Sequence, residues 1–60
     1  MHSDIITITD TYVLDKQYRK IPVKEKTILG EKISISNGMT YFKSLDGKIY
    51  SVPSARVKNA

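Results

Sequence analysis

The side chains with the most chemical potential in this chain are rings and ammoniums set close together, not acids and bases. Tyr41 and Lys43 stand two positions apart, as do Lys48 and Tyr50. Alternate residues of an extended chain share a face, so each pair would present a ring beside a cation. Rings so placed anchor a protein partner, or stack on nucleic-acid bases while a neighbouring lysine meets a phosphate. The same residues also have a purely structural use. A lysine facing a tyrosine across two strands adds roughly 0.2–1 kcal/mol to a sheet.

No catalytic constellation accompanies them. His2 is the only histidine, and no carboxylate or second histidine stands at ligand spacing from it. Cysteine is absent, which removes thiolate nucleophiles, thiolate metal sites and disulfides. Thr7 and Thr9 have no base placed to activate them, and the six carboxylates form no recognisable acid–base pair. The expectation is a non-enzymatic chain without cofactor or metal.

Sixty residues make one domain, spanning 1–60, with a thin core. No segment approaches the roughly 18–20 apolar residues that span a bilayer, and the N-terminus lacks the apolar stretch of a signal peptide. A cytoplasmic protein with no membrane partner is expected. Ten basic against six acidic residues give +4, which favours anionic partners. Arginine occurs only at 19 and 56, so eight of the ten cations are lysines. Lysine is the weaker base reader and also serves simply to solvate and protect sheet edges. The excess of Ile, and of Lys over Arg, points to an AT-rich bacterial or phage source.

The elements that must position the rings lie in residues 30–57, GEKISISNGMTYFKSLDGKIYSVPSARV. Short β-branched and aromatic runs are broken by Asn37-Gly38 and Asp46-Gly47, dipeptides that favour positive φ and hence hairpin turns. Two in succession predict a three-stranded meander. With two-residue loops at both, Ile35 faces Thr40, Ser34 faces Tyr41 and Ile33 faces Phe42; across the second, Ser44 faces Ile49, Lys43 faces Tyr50 and Phe42 faces Ser51. One face then carries Ile33, Ile35, Phe42 and Ile49 as a core. The other carries Ser34, Tyr41, Lys43, Tyr50 and Val52, a half-wet contact surface with Lys48 diagonal to Lys43.

Upstream, residues 4–14 (DIITITDTYVL) suit a strand, bent near Asp10, with Ile6 and Ile8 inward and Thr7 and Thr9 outward. Residues 15–20 (DKQYRK) form a polar tip where Tyr18, between Lys16 and Arg19, is set to meet a partner or to lie on a neighbouring strand. Pro22 holds its segment extended and at an edge. Residues 23–29 continue as strand or loop. Pro53 ends strand pairing, Ser54 can cap a single tight turn, and Val57 starts a last short strand. Both termini should fray.

The residues GEKISI followed by YFKSLDGKIYSVPSARV resemble the second half of a Src-homology 3 (SH3) domain: a Gly-Glu-Lys leading into a strand, a hairpin with a tight turn, then Val-Pro-Ser into a 3-10 turn and a closing strand. The likeness covers about half the chain. It implies an all-β fold, a small five-stranded SH3-like partly open barrel with a short 3-10 turn before the last strand. It also implies burial of Val52 and Val57. A bulge or strong coiling would reconcile this with the pairing above.

Domains of that family bind proline-rich helices through an aromatic-lined groove. By position, Pro53 matches the proline of the exit, Arg56 stands at the family's tyrosine, Met39 or Thr40 at its tryptophan, and Tyr12 loosely at the aromatic of its first strand. The partner-binding candidates are therefore Tyr41, Lys43, Tyr50, Lys48, Pro53, Arg56 and Tyr18. The leading expectation is a binding module that docks on a protein partner, such as a bacterial or phage regulatory or inhibitor protein, or that self-associates as a homo-oligomer. The alternative is a basic nucleic-acid-binding β-barrel.

Overall fold

A computed structural model of the chain describes residues 4–60; His2 and the frayed start expected at 1–3 lie outside the described residues. Seven strands form one antiparallel sheet: β1 (Asp4–Thr7), β2 (Thr11–Leu14), β3 (Lys20–Val23), β4 (Ile28–Ser36), β5 (Met39–Ser44), β6 (Ile49–Pro53) and β7 (Val57–Asn59). Their spatial order is β3-β2-β6-β5-β4-β1-β7, so the sheet is not closed. A single 3-10 turn, Ser54–Arg56, precedes β7. Five strands were expected. Seven arise because residues 4–14 break at the bend over 8–10 and because β3 pairs back on β2.

The Asn37-Gly38 corner is a two-residue loop. Asn37 (φ 52°) and Gly38 (φ 77°) are both left-handed, and Ser36 faces Met39, Ile35 faces Thr40 and Ser34 faces Tyr41 as predicted. Beyond that point β4 carries a bulge, so Phe42 faces Lys32 and not Ile33. At Asp46-Gly47 the prediction misses by one residue. The Gly47 amide donates to the Ser44 carbonyl (2.9 Å) and the Ser44 amide to the Lys48 carbonyl (2.8 Å), with Gly47 at φ 87°. This is a tight turn followed by a glycine bulge, a longer loop than the two-residue one.

That single step flips every residue of β6 to the other face. Lys43 faces Ile49, Phe42 faces Tyr50 and Thr40 faces Val52. Val52 is accordingly buried (0% exposed), while Ile33, Ile35 and Ile49, expected inside, lie exposed. The core is Ile5, Val13, Leu29, Phe42 and Val52, with Val23, Tyr50 and Val57 packed against it. A single sheet encloses residues this completely only by coiling around one of its own faces.

β1 also runs opposite to expectation. Ile5 and Thr7 point inward and Ile8 outward, because Thr7 is a hydrogen-bonding pin. Its hydroxyl donates to the Lys24 carbonyl (2.7 Å) and accepts from the Thr27 amide (2.8 Å). Asp10 holds the same turn by accepting from the Glu25 amide (2.8 Å). Gly30, at φ 146°, lies where β4 passes between β1 and β5, and a Cβ there would overlap the Lys43 carbonyl oxygen. Only glycine fits. Ser54 caps nothing; its hydroxyl meets that of Thr40 (2.7 Å), tying the 3-10 turn to β5.

Candidate partner-binding surface

Two loops build the surface, each held by its own short-range bonds. At the β2–β3 tip, the Asp15 carboxylate accepts from the backbone amides of Gln17 (2.8 Å) and Arg19 (3.0 Å) and pairs with the Arg19 guanidinium (2.8 Å). An aspartate closing its own turn in this way is a common loop device. The Arg19 amide, above all, and then its guanidinium and the Gln17 amide hold the Asp15 carboxyl below its ordinary value. Tyr18 is thereby held at φ 61°, and the residue is 78% exposed.

The β5–β6 loop repeats the device. Asp46 accepts from the Ser44 hydroxyl and from the Lys48 amide, and these bonds, the hydroxyl first, lower its carboxyl pKa.

Between the two loops lies a hollow of about 370 Å³, lined by Asp15, Lys16 and Arg19 of the first loop, Lys48 of the second, and Ile49 and Tyr50 at the start of β6. A smaller hollow of about 100 Å³ shares Asp15, Lys16, Ile49 and Tyr50 with it and adds Leu14, Tyr18, Tyr41 and Ser51. The register explains the second. Tyr41, Ser51 and Leu14 form one row across β5, β6 and β2, and the small serine between two large neighbours leaves a depression. A third hollow, about 340 Å³ and apolar, opens the core between Ile21, Ile28 and Leu45. Tyr50 lines all three, its ring stacked on Phe42 (6.0 Å, 19°).

Of the sequence-predicted residues, Tyr18 and Tyr41 line the smaller hollow and Lys48 the larger; Tyr50 borders both, but, set opposite Phe42, it has turned to the core face, away from Tyr41. The expected pairing of Lys43 with Tyr50 does not form. Lys43 shares the face of Tyr41 but stands between Glu31 and Ile49. Pro53, opposite Met39, and Arg56, whose carbonyl accepts from the Ile8 amide (2.9 Å), lie away from the hollows. Lys16, Arg19, Leu14 and Ile49 line the surface without having been anticipated. The aspartate opening the 15–19 loop was a visible signal for the first two; the latter two depend on register.

Among the described residues no group of three metal-ligating side chains exists, and no buried side-chain polar atom lacks a partner. No helix is long and apolar enough to cross a membrane. The chain matches no family model, no curated protein and no solved structure.

Proposed function

We propose that this chain is a non-enzymatic, cytoplasmic binding module, an SH3-like partly open barrel that docks on a protein partner, with a regulatory or inhibitory role in a bacterial or phage setting. The barrel reading is supported by the order of elements: a first strand, a long hairpin, a three-stranded meander, a 3-10 turn and a closing strand that returns to pair with β1. The observation that carries the docking role is the convergence of the exposed Tyr18 and Tyr41 with Leu14 and Ile49 on one hollow. Exposed rings beside aliphatic side chains are what protein interfaces use as anchors. The sheet face around Tyr41 favours protein over nucleic acid, because both of its lysines are already engaged: Lys43 stands directly opposite Glu31, and Lys20, opposite Leu14, holds its ammonium over the Tyr12 ring (4.8 Å).

A photo-crosslinking residue at position 41, in cells expressing the chain, tests this. A discrete protein adduct, absent when the crosslinker is moved to position 58, is the expected result. A strict monomer by size exclusion at micromolar concentration, with no adduct, speaks against docking and self-association alike.

The nucleic-acid reading keeps one specific support, the rings flanked by Lys16 and Lys48. It requires binding that weakens steeply with salt. An anisotropy titration with duplex and single-stranded DNA that stays flat at low salt removes it.

A further inference from the structure

Four ionised side chains line the larger hollow: Lys16, Arg19 and Lys48 against Asp15. Asp15 is spent internally, since its carboxylate is filled by two amides and the guanidinium of its own loop. That contact is the only ion pair among the described residues, so Lys16 and Lys48 face the hollow with no carboxylate within 4.0 Å. Asp46, next along the opposite loop, is taken up by the Ser44 hydroxyl and the Lys48 amide. The hollow therefore presents two ammoniums outside any ion pair, Lys48 with Asp46 near enough to feel its charge, beside Ile49 and Tyr50 at the start of β6. Both walls are pre-formed by their own hydrogen bonds, which lowers the ordering cost of binding.

We propose that the hollow between the 15–19 tip and the 45–48 loop takes an extended acidic peptide segment. One aromatic or aliphatic side chain of the peptide seats on Tyr50 and Ile49, and its carboxylates lie against Lys16 and Lys48. This rests on the protein-docking reading and names the chemistry of what docks. The volume suits one anchor side chain with its backbone, near the lower end of ligand-sized sites. A peptide with basic flanks is repelled by the two ammoniums. A nucleic-acid strand needs a track of cations along its backbone, whereas the surface beyond Lys16 and Lys48 continues through Tyr41, the Lys43–Glu31 row and Lys20, whose ammonium lies over the Tyr12 ring.

Fluorescence anisotropy with three labelled probes tests the proposal: a glutamate-rich peptide carrying one tryptophan, its counterpart with lysine for every glutamate, and oligothymidine. The acidic peptide should bind about tenfold or more tighter than the basic one, with affinity falling as salt rises. The double variant Lys16→Glu/Lys48→Glu should reverse the preference, a gain that misfolding cannot produce, while Lys58→Glu on β7 should change neither. Equal binding of both peptides, or no binding of the acidic one, overturns the proposal. The crosslink at position 41 then decides separately whether docking on protein stands. Preference for oligothymidine overturns both.

Discussion

One flank of this sheet is pinned by bonds between distant residues, and the other is finished by bonds between near neighbours. Around β1 and the 24–27 turn, Thr7 reaches Lys24 and Thr27, and Asp10 reaches Glu25. Around the hollow, the Asp15 carboxylate bonds only to residues 17 and 19, and the Asp46 carboxylate only to residues 44 and 48. β2 matches this looseness, meeting β6 at a single register pair, Leu14 with Ser51. The difference teaches a division of labour. Long-range pins fix how the sheet coils around Phe42 and Val52, and self-contained loops, needing no support from elsewhere, are free to display rings and ammoniums.

The sharpest way to break this contrast is at Gly30. Gly30→Ala forces a methyl onto the Lys43 carbonyl in a backbone conformation that L-residues disfavour. A loss of about 3 kcal/mol or more is expected. In a domain this small that abolishes the cooperative urea transition.

Adjacent residues on β5 come next. Phe42→Ala should cost about 3–5 kcal/mol, whereas Tyr41→Ala, on the outer face, should cost under about 1 kcal/mol and affect only partner capture. Paired urea titrations read the difference, and comparable losses would contradict the assigned faces.

Thr7→Val keeps the shape of the pin but orphans the Thr27 amide and leaves the Lys24 carbonyl only its bond from the Thr27 hydroxyl (2.8 Å). A loss of about 1–3 kcal/mol is expected, with faster hydrogen exchange at Thr27 and unchanged exchange at Arg19.

The smallest effect is the mirror of that one. Asp15 has a depressed folded-state pKa, so its stabilising contribution is present above its ordinary value of 3.8 and is lost as pH falls through the lower, folded value. Carboxyl NMR titration should place its midpoint below 3.8. Acidification through that midpoint should speed amide exchange at Gln17 and Arg19 while leaving Thr27 protected. Asp15→Asn should abolish the dependence, and a midpoint at or above the ordinary value would mean that the tip is not self-contained.

Much of the fold is legible in the chain, and the legible parts share a cause. Asn37-Gly38, the bend before Thr11, the edge strand at Pro22 and the turn after Pro53 are all set by residues within a few positions of one another. The candidate site is half legible. Tyr18, Tyr41, Lys48 and Tyr50 announce themselves by type, yet their meeting follows from β2 lying beside β6, which no local pattern encodes. Thr7 reads as a surface threonine because its partners stand 17 and 20 residues away.

By itself the sequence settled the all-β character, the places of the two glycine corners, the tight turn after Pro53 and the absence of cysteine chemistry, because each depends on backbone preferences or composition alone. Tertiary structure decided which faces are inside. Asp46-Gly47 is compatible with loops that differ by one residue, and a strand's side chains alternate with period two, so that one residue exchanged Ile49 for Val52 in the core. Burial around Phe42 selects between them, and burial is a property of the assembled sheet rather than of any segment within it.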